Sequence, residues 1–109
     1  MNEDAINELL KRGIKHHEAG EVVEARNVYL EILERDPQNH QALDLAGLLC
    51  MQCDELDAAA DFFSSAIELD PDSGRYLCHA GTLELHLGHF EKAGEFLKKA
   101  IASDTEISE

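Results

Sequence analysis

The chain repeats itself every 34 residues. Its two prolines, Pro37 and Pro71, are separated by this interval. The same step relates glycines, alanines and bulky apolar residues: Gly13, Gly47 and Gly81; Ala25, Ala59 and Ala93; Tyr29, Phe63 and Leu97. A chain of 109 residues holds three such units. Because a unit of this size is too small to enclose a core alone, the units must share one.

Each unit is predicted to consist of two α-helices. Apolar residues recur three and four positions apart, as in Ile6, Leu9 and Leu10, and the alternation typical of a β-strand finds no support. Asn39 and Ser73 follow the prolines by two positions, where their side chains can accept hydrogen bonds from the first turn of the next helix. The predicted helices span residues 5–19, 22–35, 40–53, 56–69, 74–87 and 90–103.

The repeated residues resemble the signature of the tetratricopeptide repeat family, whose unit is a helix–turn–helix of this length. The matching positions cover nearly the whole chain: Gly13, Gly20, Ala25, Tyr29 and Pro37; Gly47, Ala59, Phe63, Ala66 and Pro71; Gly81, Gly88, Ala93, Leu97 and Ala100. Three positions depart from the signature, with Ile32 for a small residue, Asp54 for a turn glycine and Thr105 for a third proline.

The resemblance implies an all-α fold, in which three repeats form a right-handed superhelical solenoid of about six antiparallel helices. The whole chain, residues 1–109, is then a single domain, with repeats over approximately 6–39, 40–73 and 74–107. The signature residues are interpreted as packing residues, because helices that cross closely need small side chains where their backbones approach. They define a fold and not an activity.

The resemblance also implies a binding groove on the concave side, which the first helix of each repeat lines in this family. The predicted partner-binding residues form an apolar strip with basic and polar edges: Leu10, Lys11, Ile14, Leu45, Leu48, Met51, Arg75, His79, Thr82 and Leu85. We expect them to bind an amphipathic helix or apolar peptide of a partner protein, with Met51 as an adaptable contact and Arg75 as a polar anchor.

The alternative interpretation of this strip is that some of its leucines fill the interfaces between repeats. Replacement of Leu48 by Glu is expected to abolish partner binding without unfolding the domain. The sequence leaves both interpretations open.

Two binding mechanisms known in this family do not transfer to this sequence. One subgroup grips the C-terminal carboxylate of heat-shock chaperones with lysine, asparagine and arginine, at places that hold Leu10, Ile14, Leu45, Arg75 and His79 here. Only Arg75 keeps the required charge. The asparagine ladder of protein O-glycosylating enzymes corresponds to Lys11, Leu45 and His79.

Composition disfavours several other classes of partner. Acidic residues outnumber basic ones by 23 to 9, and the formal charge of -14 repels nucleic acid and anionic membrane surfaces. No stretch approaches the roughly 18–20 apolar residues of a membrane span, and the acidic N-terminus is unlike a signal peptide. We therefore expect a cytoplasmic protein with reduced cysteines.

No pattern of catalytic residues is found in the sequence, so we expect a noncatalytic protein without metal or cofactor. His79 and His86 are seven residues apart, roughly 10 Å along a helix, which is too far to bind one ion. Cys50 and Cys53 have the spacing of a zinc or redox pair. They lie at a predicted helix end, where the dipole disfavours thiolate, and no second pair follows.

Two further alternatives concern the chain as a whole. One is that it forms the N-terminal arm of a longer enzyme, such as a glycosyltransferase, and recruits the protein substrate of that enzyme. An intact mass from the native source close to 12.1 kDa would exclude this alternative. The other is a homodimer through the C-terminal repeat, where Phe96 and Ile101 have no predicted capping helix to cover them.

Overall fold

The computed structural model describes residues 3–107, with side chains for residues 3–102. The helices follow in the order α1 (Glu3–Glu18), α2 (Val22–Arg35), α3 (His40–Gln52), α4 (Leu56–Leu69), α5 (Gly74–His86) and α6 (Phe90–Ile107). The predicted all-α fold is confirmed. Asn39 and Ser73 cap α3 and α5 as the sequence predicts, by accepting hydrogen bonds from the backbone N–H groups of Ala42 and Tyr76.

The last helix is longer than predicted. The sequence places its end at residue 103, whereas α6 continues to Ile107. Pro37 and Pro71 lie two residues beyond α2 and α4, where the missing N–H and the bulk of the ring stop a helix. Thr105 stands at the equivalent place in the third repeat, and a threonine does not end a helix there.

The six helices of residues 3–107 form three stacked hairpins. Within each hairpin, α1 packs against α2, α3 against α4, and α5 against α6, while α2 contacts α3 and α4 contacts α5 between hairpins. The first helices also touch one another, since α1 contacts α3 and α3 contacts α5. Among the described helices, α6 packs against α5 alone. One surface is therefore lined by α1, α3 and α5.

Close backbone approach within each hairpin explains the repeated glycines. Tyr29 and Phe63 are completely or almost completely buried, and their rings lie directly against the glycine of the preceding helix. A Cβ atom built on Gly13 would lie 2.5 Å from the side chain of Tyr29, and one built on Gly47 would lie 2.5 Å from that of Phe63. In the third hairpin the distance from Gly81 to Leu97 would be 2.9 Å. Any side chain larger than hydrogen would push the two helices apart.

The turn of the middle repeat contains a left-handed residue that is not glycine. Gly20 and Gly88 occupy this turn in the outer repeats with φ angles of 80° and 81°, and Asp54 adopts 63°. A left-handed conformation costs a residue with a Cβ about 1–2 kcal/mol, although Asp tolerates it better than most.

Asp54→Gly is expected to raise the free energy of unfolding by about 0.5 kcal/mol, because relief of this strain exceeds the entropy lost with glycine. Urea denaturation measures the change. Asp54→Asn serves as the control, since it removes the same negative charge and keeps the Cβ. A glycine variant no more stable than the asparagine variant would show that the turn carries no such strain.

Candidate functional site: the groove of α1, α3 and α5

The first helices enclose an open groove of about 520 Å³ between α1, α3 and the start of α5. Leu10, Ile14 and Leu45 form its apolar floor. Polar residues surround the floor: Asn7, Lys11, His40, Gln41, Asp44, Asp70, Ser73, Arg75 and Tyr76. The surface of α1, α3 and α5 thus contains a groove with an apolar floor and a polar rim.

The structure brings together only part of the predicted partner-binding set. Five of the predicted residues line this groove: Leu10, Lys11, Ile14, Leu45 and Arg75. Five do not: Leu48, Met51, His79, Thr82 and Leu85. Leu85 is 45% exposed but lies farther along α5, and the half-buried Thr82 donates a hydrogen bond to the carbonyl of Cys78.

Two of the five predicted residues that do not line the groove, Leu48 and Met51, pack between repeats. Leu48 is half-buried and packs against the hydrophobic clusters on both of its sides, and Met51 packs against the second of them. The packing of Leu48 fits the alternative interpretation that some leucines fill the interfaces between repeats, and Met51, which that interpretation did not include, packs beside it. A charged replacement at Leu48 would disturb the core, so this residue is unsuited to testing the groove.

A buried carboxylate lies beneath the polar rim. The side chain of Asp44 is 1% exposed, and its two oxygens lie 2.9 and 3.0 Å from Nδ1 of His79. Nε of Arg75 is 3.8 Å from the same carboxylate. His79 also packs against the ring of Phe63, with ring centroids 5.9 Å apart. Asp44 is therefore compensated within the protein by a histidine and an arginine.

A tyrosine hydroxyl adds a second polar contact at the same groove. The Tyr76 hydroxyl lies 2.7 Å from Nδ1 of His40. Burial raises the pKa of Tyr76, the carboxylates of Asp44 and Asp70 raise it further, and Arg75 opposes them. The hydroxyl consequently stays protonated and can donate a hydrogen bond to the histidine.

Several histidines connect neighbouring repeats. His79 reaches back from α5 to Asp44 on α3, and His40 reaches forward from α3 to Tyr76. His17 joins the first two repeats, since its Nε2 lies 2.8 Å from Oε1 of Gln52. These bonds fix the positions of α1, α3 and α5 relative to one another, which sets the shape of the groove.

Sequence reasoning missed the pairing of Asp44 with His79. Asp44 occupies the same place in its repeat as Leu10 and Cys78, so the repeat pattern predicts only that it faces the concave side. The available signal was an acidic residue at a place where the first repeat has leucine. A histidine in the next repeat, 35 residues later, provides the partner.

The exposed charges of the groove are basic. The side chains of Lys11 and Arg75 are 77% and 67% exposed, so both are accessible to a ligand in the groove. Lys11 makes one distant contact to Glu8, at 3.8 Å and fully on the surface. Exposed pairs of this kind contribute little, so the lysine is available to a partner.

Within the described part of the chain, neither the histidines nor the cysteines form a cluster with the geometry of a metal site. Among the described residues, no group of three or more His, Cys, Asp or Glu side chains could hold a metal ion. Burial raises the pKa of the Cys50 thiol, with a further contribution from Glu55, so this cysteine is a poor thiolate. In the part of the chain that the structure describes, no helix has the length and apolar character to cross a membrane.

Solved structures with the same architecture come from several proteins. An O-GlcNAc transferase mutant of Thermobaculum terrenum superimposes with a TM-score of 0.89 at 28% identity, over 94% of this chain and 20% of that one. The TPR2AB domain of yeast Sti1 in its pHSP90 complex has a TM-score of 0.90 at 20% identity, over 99% and 42% of the two chains.

A shorter neighbour is covered almost completely. The second TPR of Spaghetti (RPAP3), bound to the HSP90 peptide SRMEEVD, matches with a TM-score of 0.83 at 18% identity, over 89% of this chain and 90% of that one. No significant relative is found among curated proteins. The chain thus spans about a fifth of the transferase, and its likeness to the two peptide-bound domains shows the fold.

Family models settle the classification. Two models described as tetratricopeptide repeat match residues 10–74 and 74–106. Together they extend from the middle of α1 almost to the end of α6. With six helices in three stacked hairpins over the described residues, and a matching family model over more than half of its length, the chain belongs to the tetratricopeptide repeat family.

Proposed function

We propose that this chain is a noncatalytic interaction module that binds a peptide or helix of a partner protein in the groove of α1, α3 and α5. The observation that carries the proposal is the combination of an apolar floor with two exposed cations. Ile14 is 37% exposed on this floor, and Lys11 and Arg75 stand at its edges. Apolar grooves rimmed by polar groups are typical of sites for amphipathic ligands.

The groove differs from one that grips a chain-terminal carboxylate. Asp44 already places a carboxylate beneath the rim, and it is paired with His79 and Arg75. A second carboxylate in this position would meet the first, and repulsion between like charges weakens binding. This arrangement supports an apolar or amphipathic ligand over a chaperone tail, although two structural neighbours carry HSP90 peptides.

A second candidate is that the module is the N-terminal arm of a longer enzyme and recruits the protein substrate of that enzyme. The match to the O-GlcNAc transferase at 28% identity favours this candidate. The intact mass of the protein from its native source tests it directly. A mass near 12.1 kDa would exclude the enzyme arm and leave the groove proposal unaffected.

Ile14→Glu is expected to reduce the retention of a groove partner at least about tenfold, because it places a charge on the apolar floor. The measurement is an affinity pull-down from native extract, with the retained proteins quantified by mass spectrometry. Arg75→Ala is expected to cause a smaller loss, since it removes one exposed cation from the edge of the groove.

Leu30→Glu is the matched control for the pull-down. Leu30 is 46% exposed, close to the 37% of Ile14, but it lies on α2 outside the groove. The proposal requires proteins that are retained by wild type and by the Leu30 variant and lost from the folded Ile14 variant. Equal retention by all three proteins would place the binding surface elsewhere.

A further inference from the structure

The first two repeats enclose an apolar cavity on the side of α3 that points away from the groove. The cavity has a volume of about 200 Å³ and lies between α2, α3 and α4. Among the described helices, α3 packs against both α2 and α4, whereas the backbones of α2 and α4 do not approach each other. Large side chains form the walls of this α2–α4 cavity: Tyr29, Leu30, Leu49 and Phe62.

Small side chains keep the cavity open. Ala46 and Cys50 line it from α3, and Ala58 lines it from α4. Ala46 and Cys50 are buried, whereas Leu30 in the outer wall is exposed. The cavity therefore extends from the core to the surface, and a ligand can enter it from solvent.

The α2–α4 cavity is separate from the groove of α1, α3 and α5. The two sites share no lining residue. On α3, Gln41 and Asp44 line the groove, and Ala46 and Cys50 line the cavity. At 3.6 residues per turn, these two pairs point to nearly opposite sides of the helix. A ligand in the cavity is therefore independent of the proposed groove function.

One ion pair lies at the mouth of the cavity. Nη2 of Arg26 donates hydrogen bonds to both carboxylate oxygens of Glu55, at 3.0 and 3.2 Å, and both side chains reach solvent. Because these are the charged side chains of the lining, their charges cancel. Burial raises the pKa of the Cys50 thiol, so the interior is uncharged as well. A charged ligand would find no free partner of opposite sign.

The apolar character is specific to this interface between repeats. The places of Cys50 and Ala58 hold Glu84 and Lys92 between the second and third repeats. Glu84 is almost completely buried there, and its Oε1 lies 2.7 Å from Nδ1 of His89. The second interface thus has longer, polar side chains at places where the first leaves space. The cavity is not a general consequence of stacking these hairpins.

The volume of the cavity fits one aromatic ring with a small substituent. A cavity of about 150 Å³ lined by Leu, Ile and Phe binds benzene, so about 200 Å³ leaves room for a few further atoms. The rings of Tyr29 and Phe62 provide surfaces against which a flat ring packs. A guanidinium has five N–H donors, and the bonds to Glu55 come from Nη2 of Arg26. The other donors can bind an oxygen at the mouth.

We infer that the α2–α4 cavity binds a small uncharged aromatic molecule that carries one hydroxyl or carbonyl group. Its ring lies among Leu49, Cys50 and Phe62, and its oxygen accepts a hydrogen bond from Arg26. The Arg26–Glu55 pair stays intact, because a neutral ligand does not compete for either charge.

The test uses benzyl alcohol as the probe and the ¹⁵N-labelled chain in two-dimensional NMR. Saturable shifts of the backbone amides that line the cavity are expected, with a Kd of roughly 0.1–1 mM for a ligand of this size. Benzoate and benzylammonium carry the same ring with a negative or a positive charge. Both are expected to bind at least about fivefold more weakly, because neither charge finds a partner unless the Arg26–Glu55 pair breaks.

Ala58→Leu is expected to weaken the binding of benzyl alcohol at least about tenfold, because the larger side chain occupies the cavity. The third repeat has the long side chain of Lys92 at this place, so the fold accommodates one. Ala102→Leu is the matched control, since it makes the same change at an exposed position of α6 and should leave the affinity unchanged. Cys50→Glu with Glu55→His, which introduces the residues of the next interface, is a second blocking variant. Circular dichroism confirms that each variant is folded.

Three outcomes overturn the proposal. The first is the absence of saturable shifts up to about 10 mM benzyl alcohol, or equal affinity of a folded blocking variant. The second is a set of shifts confined to the groove, or tighter binding of either charged probe. The third is a change of the cavity amides with protein concentration alone, which would assign the cavity to a side chain of a second copy of the chain.

Discussion

Gly47→Leu is expected to lower the free energy of unfolding by at least about 3 kcal/mol, a large part of the stability of a domain this size. A Cβ on Gly47 would lie 2.5 Å from Cε1 and 2.7 Å from Cδ1 of Phe63. Phe63 is 1% exposed and packs in the second hydrophobic cluster with Cys50 and Leu83. The leucine must therefore separate α3 from α4. Even Gly47→Ala is expected to cost about 1–3 kcal/mol, although alanine favours helices.

Gly94→Ala is the matched control. Gly94 also lies in a helix, α6, but an added Cβ would have no atom within 4 Å. Alanine is expected to raise stability here by about 0.5–1 kcal/mol, because it restricts the unfolded chain and meets no obstacle. Urea denaturation followed by circular dichroism measures both changes. A Gly47→Ala variant as stable as wild type would show that Phe63 can move aside.

The repeat made the fold predictable because the same packing problem recurs three times. Each glycine and each bulky partner 16 residues later mark one close crossing, as with Gly47 and Phe63, and three occurrences fix the register. Prolines and caps then locate the helix ends. The exception is α6, which passes its predicted end because Thr105 replaces the proline that would stop it.

The groove was predictable only in part, because register decides which side of a helix a residue occupies but not what covers it. Leu10 and Leu45 face the groove yet are each only 8% exposed, whereas Leu48 packs into the core on both sides. A place on the concave side thus includes both ligand-accessible and interface residues. The distinction depends on how closely the next repeat stacks.

The polar part of the groove was least predictable, because it depends on distances between side chains of different repeats. Nothing in a helical pattern indicates that the carboxylate of Asp44 meets the imidazole of His79 rather than solvent. The sequence leaves both Phe96 and Ile101 without a predicted covering helix, and the structure separates the two. Ile101 is 66% exposed, whereas Phe96 is half-buried against the cluster around Phe63.

His79→Ala is expected to lower the free energy of unfolding by about 2–4 kcal/mol, because Asp44 remains buried without its hydrogen-bond donor. His79 Nδ1 lies 2.9 and 3.0 Å from the two oxygens of Asp44, whose side chain is 1% exposed. Arg75, at 3.8 Å and largely in solvent, compensates only part of the charge. The lost ring also leaves a gap beside Phe63.

His16→Ala is the matched control, because it removes a histidine whose carboxylate partner is exposed and not buried. His16 also contacts a carboxylate, with Nδ1 2.7 Å from Oε1 of Glu21, but the side chains are 32% and 54% exposed. Because water can replace this contact, His16→Ala is expected to lower the free energy of unfolding by only about 0–1 kcal/mol. Chemical denaturation under the same conditions measures the free energy of unfolding of both variants. If His79→Ala and His16→Ala lower it by similar amounts, Arg75 and solvent stabilise the Asp44 carboxylate without His79.

Removal of the buried carboxylate provides the second half of this test. Asp44→Leu in the His79→Ala background replaces an uncompensated charge by an apolar group, and is expected to recover about 1–3 kcal/mol relative to His79→Ala alone. Such recovery would attribute the loss to the unpaired charge rather than to the gap beside Phe63. If the double variant is no more stable than the single one, packing of the His79 ring, and not its bond to Asp44, joins the second and third repeats.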